Sequence, residues 1–253
     1  MPNVVSRLLV AIALLTVTVH PSLAQTSKTK APPANPKVIA IVLGNEITTA
    51  QKDRLNGMIF GQLLERFAKE NKIAPTDKEL DEFVVKLEAS KKAQNAKWRT
   101  ERKRLKAELK DESLSAKDRK AREVILGNIE SILKAENDRP YLTPEQEKQN
   151  RQGQLEVARM FVQQWKINQA LFRKHGGRVI FQQAGPEPLD AYRRFLRDHE
   201  KKGNFKILDK EAAKSFCNYF ENDKMHVFAS KGQAAEVMNT PWWKKDPAGN
   251  LED

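Results

Sequence analysis

From Thr143 to His175 the chain carries one unbroken helical pattern, and its length limits every fold the rest can adopt. Thr143 is an N-cap candidate, Pro144 stands at the first helical position where a missing N–H is harmless, and Gln146 completes a capping box. Gly176-Gly177 supplies the stop. A helix of about 30 residues is about 45 Å long at 1.5 Å per residue. Its apolar face is Leu155, Ala158, Val162, Trp165 and Phe172, with Phe161 and Leu171 beside it. Charged residues make up 31% of the 253-residue chain, and mean hydropathy is −0.66. No compact body that polar surrounds such a helix fully. The expectation is an extended helical body with much wetted surface, in which this helix bridges the N-terminal helices and whatever follows.

The N-terminal stretch reads as a secretory signal peptide. Arg7 precedes an apolar run from Leu8 to Val19, and Ser22-Leu23-Ala24 supplies a small-x-small cleavage signal before Gln25. The run is too short to span a bilayer, which needs about 20 apolar residues. No cysteine follows it, which speaks against a lipid-anchored form. Residues 1–24 are therefore expected to be removed, and the product is expected to be exported and soluble. Residues 25–37, polar and proline-rich, read as a flexible linker.

Val38 to Leu43 is a β-branched apolar run that reads as a strand buried on both faces. Gly44-Asn45 signals a turn, and Glu46-Ile47-Thr48 returns as a second strand. Thr48 and Gln51 form a capping box for a helix in which Leu55, Ile59, Leu63 and Phe67 recur every four residues, ending near Asn71. Ile73-Ala74-Pro75 breaks it. Thr76 and Glu79 form another box, and Leu80, Phe83, Val84 and Leu87 give the face of the next helix. Lys91 to Lys120 is dense in charge and reads as an exposed helix pair with a break near Asp111 to Ser115. Ile125, Ile129, Ile132 and Leu133 make the apolar stripe of the second arm. After Gly177, Arg178 to Gln183 reads as a strand and Ala191, Tyr192, Phe195 and Leu196 as a helix face. Phe205 to Leu208 is extended, and Ala212 to Phe220 is a further helix. Residues 229–253 read as a polar tail that holds Trp242 and Trp243.

Catalytic chemistry is not written in this sequence. His175, His199 and His226 stand at no ligand spacing, so no metal site is expected. No nucleophile elbow, phosphate loop or dinucleotide fingerprint occurs, and no cofactor is expected. The carboxylates lie mostly in Lys-rich helix faces, where solvated charge is the ordinary role. His175, at the end of the long helix, reads as a complement to the helix dipole. Cys217 is the single cysteine; it excludes an intramolecular disulfide and is expected to be buried. The net charge of +12 favours anionic membrane surfaces, acidic or unfolded polypeptides, or nucleic acid, and export argues against the last.

Val38 to Glu82 resembles the N-terminal chaperone region of the SurA and PrsA-like exported foldases. The residues that carry the likeness are Gly44-Asn45, Ile47-Thr48, Leu63-Leu64, Ala68-Lys69 and Thr76-Asp77-Lys78-Glu79. Gly-Asn stands where that family has Asn-Gly. The resemblance implies a mainly α fold: a helical cradle over 38–177 with a short N-terminal β-hairpin and long extended helices. A small α+β portion follows at 178–228. Arg178-Val179-Ile180-Phe181, the helix around Tyr192 and Gly203-Asn204-Phe205 are similar to the opening of a parvulin prolyl-isomerase domain in degraded form. Arg178 or Val179 stands where that domain carries its first histidine, and the Gly-Gly-x-Leu-Gly segment is missing.

The function this implies is an ATP-independent periplasmic chaperone for unfolded secreted or outer-membrane proteins. Its partners would be unfolded exported polypeptides. Holding clients needs apolar side chains set among solubilising charge, and no catalytic residue. The candidate client contacts are Phe60, Leu64, Trp98, Phe161, Trp165, Trp242 and Trp243. One alternative is a parvulin-type peptidyl-prolyl isomerase. Another is a non-enzymatic protein that binds anionic lipid or lipopolysaccharide through Lys91 to Lys120.

Overall fold

The computed structural model describes residues 36–138, 141–182 and 185–244. The expected leader and nearly all of the expected linker lie outside these residues. The described chain is mainly helical with two small antiparallel sheets. The strands are β1 (Val38–Val42), β2 (Asn45–Thr48), β3 (Ile180–Gln182), β4 (Gly185–Glu187) and β5 (Phe205–Ile207). The helices are α1 (Leu55–Glu70), α2 (Asp77–Glu108), α3 (Ala116–Asn137), α4 (Pro144–His175), α5 (Leu189–Lys201), α6 (Lys210–Glu221) and α7 (Lys231–Asn239). They fall into two compact units. Of the described residues, the first holds 36–76 together with Met160–Trp242, and the second holds Asp77–Arg159 with Trp243 and Lys244.

In the first unit β1 is the central strand, flanked antiparallel by β2 and β5. Central position explains its continuous apolar sequence: Ile39, Ala40 and Val42 are all buried. The turn between β1 and β2 is Leu43-Gly44, one residue earlier than the sequence suggests, because Val42 pairs with Asn45. Both turn residues have positive φ, 50° and 85°, as a two-residue hairpin loop with the right-handed sheet twist requires. The Thr48–Gln51 capping box forms, but it opens a 3-10 turn at Thr49–Arg54 before α1 begins.

Leu55, Ile59, Leu63 and Phe67 of α1 then enter a core shared with Tyr192 and Phe195 of α5 and Phe216 and Phe220 of α6. Residues 178–228 are divided between two sheets. Although β3 and β4 make a hairpin, β5 joins the N-terminal strand β1. The compact units are accordingly drawn differently from the segments 38–177 and 178–228.

Two further expectations are corrected in this unit. Residues 229–253 are not simply a polar tail, since α7 lies within them and buries Ala234, Val237 and Met238 beside Val179. Its start is a complete Ser230–Gln233 capping box. Cys217 is exposed rather than buried. The helix α6 points Ala212, Phe216 and Phe220 inward, and Cys217, one residue after Phe216, is turned about 100° away from that line.

In the second unit α2 and α3 form an antiparallel pair around a very small core of Leu105, Ile129 and Leu133, with Trp98 and Leu126 packed against it. The break between them is the expected one. Ser115 caps α3 by accepting from the Asp118 N–H at 3.1 Å. Arg119 reaches back and donates to the carbonyls of Leu109 and Asp111 at 2.7 and 2.8 Å. Leu109 directly follows α2 and Asp111 lies in the linking turn, so Arg119 of α3 ties the turn to the end of α2. Arg122 bridges to Glu108 at 2.7 Å.

The long helix α4 has the bounds read from the sequence. At its start Thr143 N–H donates to Gln146 Oε1 at 2.8 Å and Gln146 N–H to Thr143 Oγ1 at 3.3 Å. At its end Gly176 and Gly177 have φ of 62° and 104°. A side chain at Gly177 would collide with Asp190, so the second glycine serves close packing as well as the turn.

Candidate functional site

The seven expected client contacts are engaged in the protein's own packing. Phe60 is half-buried, with its ring edge-on to Tyr192 at 4.6 Å and to Phe220 at 5.3 Å between centroids. Leu64 is buried in the same core. Trp165 is buried, and its Nε1 donates to the carbonyl of Val237 at 3.1 Å. Phe161 and Trp242 meet edge to face at 6.3 Å. In the second unit Trp98 packs on the small helix-pair core, and Trp243 is buried edge-on to Phe83 at 5.3 Å. Large apolar side chains at helical spacing are drawn into core, as their burial free energy of roughly 1.5–3 kcal/mol each favours.

The exposed apolar side chains are different ones. Met160, Leu208, Met225 and Val227 are exposed in the first unit, and Val85, Val124, Ile125, Ile132, Tyr141 and Leu142 in the second. The stripe read on α3 is split: Ile129 and Leu133 face inward, whereas Ile125 and Ile132 are 48% and 39% exposed. Their seven-residue spacing puts both on one face, bordering the buried seam. The sequence carries that spacing, but the width of the partner helix decides which half of the stripe is covered.

A cavity of about 240 Å³ lies in the first unit where α1, α4 and α5 end. Phe67 and Phe195 give it apolar walls, and His175, His199, Asp198 and Lys202 line its polar part. Burial first and Lys174 second push the His175 imidazole pKa down; burial first and Lys202 second do the same for His199. His175 is therefore held toward its neutral form and is not the positive complement to the helix dipole that its position suggests. Arg194 takes that place by donating to the His175 carbonyl. Arg66 on the cavity rim is bridged to Glu70 at 2.7 Å. No Ser, Thr or Cys lines the space, so it offers no hydroxyl or thiol nucleophile.

A second polar cluster is buried beneath β4. Tyr192 donates to Asn168 Oδ1 at 2.6 Å, and Asn168 Nδ2 donates to the Pro186 carbonyl at 2.9 Å. Tyr219 donates to Glu187 at 2.8 Å. Burial raises the Glu187 pKa against the lowering effects of Tyr219 and His226. Arg178 stands near Phe228, 4.1 Å from its ring centroid, and binds Asp190 and Asp223 at 2.9 and 2.8 Å. Of the two residues that stand where the resemblance implies a histidine, Arg178 organises ion pairs and Val179 is buried beside α7.

Among the described residues no group of three or more His, Cys, Asp or Glu is placed to hold a metal ion. No described helix is long and apolar enough to cross a membrane. No protein-family model matches the chain, and neither does any curated protein or any solved structure.

Proposed function

We propose that the protein is an exported, ATP-independent chaperone that holds unfolded polypeptides on a SurA-like helical cradle. The observation that carries this reading is the exposed pair Ile125 and Ile132 on α3, set on a helix pair with a small core and dense charge. Apolar side chains left uncovered among charges suit transient capture of unfolded chains, because contact is non-directional and the charged surround keeps the complex soluble. The signal-peptide pattern at residues 1–24 and the family-like residues from Gly44 to Glu79 support the same reading. Clients would be unfolded secreted or outer-membrane proteins.

The test is light scattering by a diluted, unfolded outer-membrane β-barrel protein, with the chain lacking residues 1–24 and without nucleotide. Suppression of scattering near equimolar ratio is expected. Unchanged scattering refutes the reading. Proline isomerisation in a protease-coupled peptide assay is expected to proceed at the uncatalysed rate; acceleration would favour an isomerase instead.

A further inference from the structure

Charge is sorted around α2. Between residues 89 and 110 its carboxylates are Glu101 and Glu108. Both are held by Arg104, and Glu108 also by Arg122. At about 100° per residue they project to one side. The opposite side reads Ala89, Lys92, Ala96, Arg99, Lys103, Lys106 and Ala107, at steps of three, four and one, with no carboxylate among them. Lys92, Arg99, Lys103 and Lys106 are exposed. Lys106 bridges to Glu130 at 2.6 Å, whereas Lys92, Arg99 and Lys103 have no ion pair among the described residues. From Lys92 to Lys106 the row runs about 21 Å at 1.5 Å per residue.

We propose that this carboxylate-free face of α2, formed by Lys92, Arg99, Lys103 and Lys106, docks the protein on an anionic lipid surface. Charge complementarity selects the occupant. A straight row of cations on one side of a rigid helix matches a plane of negative headgroups, where each Lys or Arg contributes about 1 kcal/mol. A protein partner would need buried aromatic or apolar anchors at the centre of the contact, and this face offers only alanines between its cations. A single-stranded nucleic acid would need stacking platforms; the nearby Trp98 is packed on the Leu105–Ile129–Leu133 core. This surface stands apart from the client-holding residues on α3, and either can fail without the other.

The experiment is vesicle flotation of the chain lacking residues 1–24, on phosphatidylcholine alone and on phosphatidylcholine with phosphatidylglycerol. The triple variant Lys92→Gln, Arg99→Gln, Lys103→Gln is compared with a control, Lys201→Gln, Lys206→Gln, Lys214→Gln, which removes equal charge from exposed sites of the first unit. The expected result is flotation with anionic vesicles only, abolished by high salt. Affinity should fall about a hundredfold in the stripe variant, from about 1 kcal/mol per cation, and little in the control. Circular dichroism of both variants should match the parent, since all six side chains are exposed. Absence of flotation, or equal loss in both variants, overturns the proposal. Retention of a labelled DNA duplex through the same three residues, without vesicle binding, also overturns it and assigns the face to nucleic acid.

Discussion

Trp165 and Val237 are joined by a hydrogen bond of 3.1 Å from the indole Nε1 to the main-chain carbonyl. One turn along α4, Gln169 donates in the same way to the carbonyl of Met238 at 2.8 Å. Carbonyls in the last turn of a helix lack intrahelical donors, so α4 closes the C-terminal end of α7 with two side chains at i and i+4. Trp165→Phe keeps most of the buried ring and removes the donor. It should destabilise the protein by about 1–3 kcal/mol, the cost of an unsatisfied buried carbonyl. Thermal unfolding checks this, and hydrogen exchange should quicken first in α7. Removal of residues 229–253 should destabilise more than this substitution does, because Val237 and Met238 leave the core with it.

Burial lifts the Glu187 pKa above its ordinary value, against the opposing effects of Tyr219 and His226. A raised folded pKa means that stability is fully present below the unfolded value and is lost as pH rises through the folded one. Glu187→Gln keeps an acceptor for the Tyr219 hydroxyl and removes the charge. The variant should melt higher than the parent at pH 8, and the gap should close as pH falls toward 4. A gap that does not change with pH would show that the ionised carboxylate is not the destabilising element.

The opposite sign applies to the ion pairs around Arg178. Hydrogen bonds from Arg178 and Arg193 push Asp223 down to about 2. At Asp190 burial raises the pKa, but hydrogen bonds from the Arg178 side chain and backbone and the charges of both arginines outweigh it. A depressed carboxylate pKa contributes stability that is present above its unfolded value, near 4, and is lost as pH falls toward the folded one. Asp223→Asn should lower the melting temperature at pH 7, and its further loss from pH 4 to pH 2 should be shallower than the parent's. An acid titration followed by circular dichroism tests this.

Elements with strong local grammar are legible in the residues alone. The Thr143–Gln146 box and the Gly176-Gly177 stop bound α4 to the residue, and the four-residue recurrence from Leu55 to Phe67 is a buried face. What the residues do not disclose is long-range. Nothing local in Phe205-Lys206-Ile207 says that it pairs with Ala40 to Val42 rather than with the strand at Ile180. The apolar content of α7 is too low to stand out, although Ser230 and Gln233 form the same kind of box that opens α4. Size and aromaticity, the marks of the candidate contacts, select for core as strongly as for binding. The exposed pair on α3 belongs to one apolar stripe in the sequence, and nothing in its spacing tells the covered half from the uncovered one.

The division of that stripe is the sharpest test of the proposed function. Leu133 is 3% exposed, and with Leu105 and Ile129 it is nearly all the core that joins α2 to α3. Leu133→Ala should destabilise the helix pair by about 2–5 kcal/mol, as large-to-small changes in cores do. The loss should appear as faster hydrogen exchange in α2 and α3. Ile125→Ser with Ile132→Ser changes side chains that lie outside the buried seam, 48% and 39% exposed, and should cost far less than Leu133→Ala. The double variant should therefore fold and melt like the parent while losing most of its suppression of client aggregation. If it instead unfolds like Leu133→Ala, the two isoleucines are core. If it folds normally and suppresses aggregation as well as the parent, clients are held elsewhere and the α3 face is not the capture surface.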